Sequence, residues 1–178
     1  MIDKTIPTVE VSKGITFSKS ITKEFLAGFK YPVRIDAGIF IVVISGRGNF
    51  SINLSNYSVD KSCVITLASS CIVQMIDYSD DFEAYYIAFS PEFLRNVDLI
   101  QSALLFLPEI KNNPVLEFNE TSKALFFHFC EIFDKLYKKQ NEVSMPGVVD
   151  NLLMSMLWGV AAAYKSRNII RNEEISLS

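Results

Sequence analysis

The stretch Gly38–Val59, GIFIVVISGRGNFSINLSNYSV, decides how this chain is to be read. It opens on six consecutive apolar residues, Ile39 to Ile44. It passes through the glycine-bearing corner Ser45–Gly48, and then alternates, with Phe50, Ile52 and Leu54 separated by Ser51 and Asn53. Strict alternation is the period of a half-buried strand. Two glycines in four residues supply positive φ at little cost, so Ser45–Gly48 reads as a hairpin turn, and Ser55–Asn56 as the next turn. Nothing on these strands carries obvious chemistry. The stretch reads as the wall of a small sensing barrel rather than an active site.

The pattern extends in both directions. Ile15–Ile21 reads as a first strand, and Val33–Ile44 as a long one bent at Gly38. Cys63–Leu67, Cys71–Ile76 and Phe82–Phe89 follow at short, even spacing, separated by polar turns. Such spacing points to a barrel or sandwich. Then the period changes. Ser90 can cap a short helix with Pro91 at its first position. LPEIKNNPVLEF (107–118) reads as a loop with a short strand near Val115–Phe118. From a cap at Asn119 or Thr121, Leu125, Phe126, Phe129, Cys130, Phe133, Leu136 and Tyr137 recur at helical spacing. A second helix runs from about Pro146 to Asn168, and its middle, LLMSMLWGVAAAY, is apolar nearly all round. A helix apolar on every side must be covered on every side. One face can lie on the preceding helix or the barrel; the expected cover of the other is a second copy of the chain, through Leu153, Met156, Leu157, Val160 and Tyr164.

Bulk properties exclude several functions. The chain has 178 residues, a formal net charge of -3, and 49% hydrophobic residues. That acidic balance argues against gripping nucleic acid directly, because phosphate contact needs a basic face. Three cysteines (Cys63, Cys71, Cys130) without a CxxC pair argue against a disulfide framework and for a reducing, cytoplasmic setting. The first thirty residues hold no signal-like apolar core, and the uncharged apolar run Asn151–Tyr164 is too short for a bilayer. No membrane role is expected.

Catalytic and metal chemistry finds few carriers. His128 is the single histidine, so neither a multi-histidine metal cluster nor a histidine-based triad can be assembled around it, and no metal or other cofactor is expected. GRG at 46–48 is not a phosphate loop, since Ser51 stands where a third glycine is required and no helix follows. Asp80-Asp81 and Glu173-Glu174 sit in turn-like or tail-like context and read as solvated charge. What remains is a binding cavity inside the barrel. The candidate ligand contacts are Tyr31, Arg34, Gln74 and Tyr85, with Glu83 also placed on these strands, and Phe40 and Met75 as apolar lining. For each polar candidate an outward surface position is an equal reading.

The same strands, followed by YYIAFSPEFL (85–94), resemble the N-terminal cupin domain of AraC-family transcriptional regulators, in the form associated with Bacteroides-type genomes. The phrase carried by Ile87, Phe89, Ser90, Glu92, Phe93 and Leu94 is similar to the one that follows the last long strand of that barrel. The resemblance covers nearly the whole chain and rests on apolar and glycine patterning. It implies a jelly-roll barrel over 1–118 with a short helical insertion near 91–105, an antiparallel two-helix dimerisation segment over 119–170, and a linker over 171–178 toward a DNA-binding domain that this chain lacks. It implies a non-enzymatic, effector-sensing homodimer that meets DNA only through that further domain. In the family's sugar-binding member an Arg-Pro pair stands where Tyr31-Pro32 falls here, and its barrel histidines have no counterpart. The competing reading is a stand-alone cupin, either sugar-binding or a metal-dependent enzyme.

Overall fold

The computed structural model describes residues 8–10, 14–19, 21, 23–95, 106–139 and 147–176. It is mainly β with C-terminal helices. Ten strands form two five-stranded sheets among these residues: β1 (Thr8–Glu10), β2 (Ile15–Ser18), β3 (Val33–Asp36), β4 (Gly38–Ser45), β5 (Arg47–Ile52), β6 (Ser55–Asp60), β7 (Cys63–Leu67), β8 (Ile72–Tyr78), β9 (Glu83–Phe89) and β10 (Val115–Glu117). One sheet has the order β1-β3-β8-β5-β6 and the other β10-β7-β4-β9-β2. All pairings are antiparallel except β1 with β3. The helices are α1 (Lys23–Gly28), α2 (Pro91–Arg95), α3 (Leu107–Asn112), α4 (Glu120–Lys138) and α5 (Val148–Ser176). The expected barrel with two long C-terminal helices is the architecture found.

The two sheets explain the two halves of the opening stretch. β4 is buried on both faces: Ile39, Ile41 and Val43 point into the space between the sheets, while Phe40 and Val42 point outward beneath the helices. Its unbroken apolar run follows from that double cover. β5 and β6 belong to the other sheet, whose outer face meets solvent. Hence Phe50 and Ile52 are inside while Arg47 is exposed, and Asn49 and Ser51 are half-exposed.

The corner between them differs from the expected hairpin. β4 and β5 do not pair with each other; the chain crosses from one sheet to the other at Gly46, whose φ is +72. A Cβ there would lie 2.6 Å from the Phe82 backbone, so both the turn and the close approach need glycine. The hairpin lies one strand later, joining β5 to β6. Its tip is Asn53–Leu54 (φ +49 and +71), and Ser55 and Asn56, expected as the turn, are already paired in β6.

Helix starts follow the sequence signals. Ser90 Oγ accepts from the Phe93 amide at 3.1 Å, and Asn119 Oδ1 from the Ser122 amide at 2.9 Å. α4 buries Phe126, Cys130 and Phe133, an i, i+4, i+7 stripe. α5 continues through Ser176, beyond the Asn168 limit read from sequence, and takes in 171–176 of the expected linker. α1 and α3 occupy segments in which no helix was expected, and β1 is likewise additional. Of the expected insertion near 91–105, α2 is present and 96–105 lie outside the described residues.

Two cores result. The first fills the space between the sheets. The second lies between the outer face of β2, β4, β7 and β9 and the pair α4–α5, with Phe17, Phe40, Tyr85, Ile87, Phe133, Leu153, Met156 and Tyr164 among its members. The structure places the interface residues expected on α5 in this second core. Leu153, Met156, Val160 and Tyr164 are buried within the chain itself, against its own sheet, and Leu157 is half-buried beside them. The outward residues of the two helices are different: Leu125 (55% exposed), Ile132 (47%) and Trp158 (39%).

Candidate functional site

The space inside the barrel is occupied by side chains. α1 lays Phe25 and Leu26, with Phe29 just after it, against Ile39, Ile41, Phe50, Val73 and Tyr86, leaving a void of about 10 Å³. That is about the volume of one water and far below the roughly 300 Å³ at which ligand pockets begin. Burial among these rings raises the Tyr86 phenol to about 12.

The residues expected to contact a ligand there are not brought together. Tyr31 is exposed in the bend before β3, and Arg34 is exposed on the solvent side of the first sheet. Gln74 is half-buried on the same side, its amide donating to the Lys30 carbonyl at 3.0 Å. Glu83 is half-buried at the start of β9. Tyr85 is buried, but on the outer face of the second sheet, with its ring 5.9 Å from Phe17. Met75 points into the barrel core and Phe40 away from it.

A larger cavity lies outside the barrel, between the second sheet and the helices. Its volume is about 320 Å³. The sheet contributes Gly38, Phe40, Thr66, Leu67 and Phe89 as its floor. α3 contributes Leu107, Ile110 and Lys111, and α5 contributes Leu157, Val160 and Ala161. Glycine at 38 matters here, because the Phe89 ring occupies the place a Cβ would take. Phe40, directly across from Thr66 in the β4–β7 ladder, shares that floor.

Three side chains with polar groups are on this wall, and their states differ. Ser69 Oγ donates to Asp36 Oδ1 at 2.7 Å and is committed. Lys111 is exposed and makes no ion pair with a described residue. Thr66 is 5% exposed, and its Oγ1 has no hydrogen-bond partner among the described residues. The nearby Tyr164 hydroxyl donates instead to the Asn113 carbonyl at 2.7 Å. Burial raises the Tyr164 phenol strongly; Thr66 is near enough to offset part of the rise, yet the contact falls short of a hydrogen bond.

The remaining titratable groups offer no catalytic arrangement. Asp60 is held below the usual carboxylate range by the Ser62 hydroxyl and amide, a turn-stabilising pattern. Burial raises the Cys63 thiol and takes Cys130 to about 12, so both are protonated at neutral pH. His128 is exposed, with Nδ1 3.4 Å from Glu131 on the same helix. No group of three or more metal-ligating side chains occurs among the described residues, and no described helix is long and apolar enough to cross a membrane.

The sequence signals for this cavity were the prolines and apolar residues of 107–118, read as a loop, and the over-apolar α5. Neither indicated that the two would face one another across Thr66.

No protein-family model matches the chain, and no curated protein sequence does. Among solved structures it is similar to an apo ToxT variant from Vibrio cholerae, with a TM-score of 0.52 and 10% identity over 92% of this chain and 59% of ToxT. It is also similar to the AraC-like transcriptional activator CuxR (TM-score 0.43, 14% identity, 85% of this chain and 48% of CuxR). ToxT from Vibrio cholerae bound to (E)-4-(8-methylnaphthalen-1-yl)but-3-enoic acid gives a TM-score of 0.39 and 15% identity over 76% of this chain and 61% of that one. The chain thus spans less than two-thirds of each of these proteins. The ToxT match at 0.52 shows a shared fold.

Proposed function

We propose that this chain is the effector-sensing and dimerising part of an AraC-type transcription regulator, cytoplasmic, without catalytic activity of its own, and joined after α5 to the domain that reads DNA. The Bacteroides-type branch of the family remains the finer reading of its sequence. The observation that carries the proposal is the position of α5: one helix closes an apolar cavity of about 320 Å³ with Leu157, Val160 and Ala161 and then runs on to Ser176. A ligand filling that cavity bears directly on the helix leading to the next domain. The shared fold with ToxT supports the assignment.

In this reading the effector sits between barrel and helices, and the barrel itself is scaffold. The wall is poorly suited to a sugar, whose hydroxyls lose water without finding partners. A metal-dependent cupin enzyme has no ligand cluster to draw on among the described residues. The domain limits carry over as a barrel over 1–118 and a dimerising helix pair over 119–170. The dimer surface moves to the outward side of the pair, around Leu125, Ile132 and Trp158.

The test is thermal unfolding with a panel of small apolar compounds, on the wild type and on Ala161→Leu, which fills the cavity from α5. A compound at a hundred times its Kd stabilises by about 2.7 kcal/mol, or roughly 5–11 °C for a chain of this size. The wild type should show such shifts and Ala161→Leu should not. Equal shifts in both proteins, or none in the wild type, would remove the cavity from the mechanism.

A further inference from the structure

We infer that the Tyr164 hydroxyl is the positioning group of this cavity: it ties α5 to the end of α3, and so sets the gap between the two helical walls and the size of ligand the site accepts. The inference rests on the cavity being the effector seat and goes on to name what gives that seat its width.

The cavity has firmly held sides and one loosely held side. Its floor belongs to β4, β7 and β9, which are joined by continuous ladders. The α5 wall is anchored by Leu153, Met156 and Val160, all buried on the sheet. α3 is different. It is six residues long, has no fully buried side chain, and its N-cap, Phe106, supplies no side-chain cap. So short a helix has little stability of its own, and its place depends on what grips its end. There Asn113 is locked to α3, its amide donating to the Glu109 carbonyl at 2.8 Å and its Nδ2 to Glu109 Oε1 at 3.1 Å. The Asn113 carbonyl accepts from the Tyr164 hydroxyl at 2.7 Å, and the Pro114 carbonyl from the Thr66 amide at 2.7 Å. The second of these bonds holds the segment to the sheet; the first holds it to α5. Further along α5, Arg167 Nη1 repeats the tie more weakly, donating to the Val115 carbonyl at 3.4 Å.

Tyr164 is suited to this role. It is fully buried, so its ring is fixed by close packing, and a buried phenol needs a partner for its hydroxyl. It follows Val160 and Ala161, which line the cavity, yet is not itself part of the wall. Its influence on a ligand therefore passes through α3. Without the hydroxyl, Asn113 loses its tie to α5, α3 swings outward more readily, and the cavity takes a larger occupant.

The experiment compares the wild type with Tyr164→Phe, which keeps the ring in the core, and Arg167→Ala, whose native side chain is exposed. Amide hydrogen exchange is followed by NMR without ligand, and two fluorescent probes, naphthalene and the larger phenanthrene, are titrated. In Tyr164→Phe the Ile110 and Asn113 amides, which close α3, should exchange about fivefold faster while those of β4 keep their rates, the worth of one neutral hydrogen bond. The ratio of phenanthrene to naphthalene affinity should rise by about the same factor. Arg167→Ala should move both readouts in the same direction by less, and carries the test alone if Tyr164→Phe does not fold. Unchanged exchange in α3, or equal weakening of both probes, would overturn the inference while leaving the cavity as the seat. Faster α3 exchange with no probe bound by any of the three proteins would uphold the tie between the helices and remove the cavity reading on which the choice of ligand size depends.

Discussion

Replacing Met156 by Asp separates two accounts of α5 that the sequence alone leaves equal. If α5 met a second copy through this residue, the variant would be a folded monomer. In the structure Met156 is fully buried against the chain's own sheet, together with Leu153, Val160 and Tyr164. Truncating a buried Met costs about 2–5 kcal/mol. An unpaired carboxylate in the same place adds about 3–5 kcal/mol, by analogy with breaking a buried ion pair. The sum, about 5–10 kcal/mol, is of the same order as the whole stability of an ordinary domain, about 5–15 kcal/mol. The variant should therefore be unfolded at 25 °C or melt at least about 10 °C lower, at about 2–4 °C per kcal/mol. Trp158→Asp is the companion, since Trp158 is 39% exposed on the outward side of the same helix. It should melt within a few degrees of the wild type and shift the sedimentation coefficient toward the monomer. The assays are urea unfolding followed by circular dichroism, and sedimentation velocity at micromolar concentration. A Met156→Asp protein that unfolds like the wild type but no longer associates would refute the placement of α5 on its own sheet.

Two further outcomes test the packing. Gly46→Ala must hold φ +72 and bring a Cβ within 2.6 Å of the Phe82 backbone, whereas Gly147→Ala at φ +88 meets nothing nearer than Asn151 at 3.8 Å. The left-handed backbone costs about 1–2 kcal/mol in both, and the collision adds about 1–3 kcal/mol at Gly46 alone, so a smaller loss at Gly46 than at Gly147 in urea unfolding would contradict the corner. Stability should also fall in alkali. Burial holds Cys130 and Tyr86 up to about 12 from reference values of 9.0 and 10.0. Above pH 9 the unfolded chain releases these protons first, so the native state holds more of them and stability declines with rising pH until about pH 12. Each pH unit of difference is worth about 1.4 kcal/mol per group. Urea midpoints should drop between pH 8 and 11, less steeply in Cys130→Ala, and a flat profile would show that these groups are not buried as described.

How much was legible can be seen along β4 and β5. Ile39–Ile44 announced a strand, and Phe50 and Ile52 a half-buried one; both hold, because side-chain period is a local property set by backbone geometry. Caps at Ser90 and Asn119 were legible for the same reason: the side chain bonds an amide three residues on. The glycine corner was legible as a turn but not as a crossing between sheets, since a left-handed glycine serves either purpose. α1 went unread because KEFLAG has a helix pattern too short to be told from a loop, and its effect is made at a distance, where Phe25 and Leu26 enter the barrel.

The sequence by itself determined that there is a barrel, that its second half is helical, and that histidine-based chemistry lacks partners. Tertiary structure alone decided where the free volume lies. Hydrophobic burial is non-directional, so an apolar α5 states that it must be covered without stating by what. Only the packed chain shows α5 on its own sheet, the barrel filled by α1, and an apolar cavity of about 320 Å³ between the second sheet and the helices.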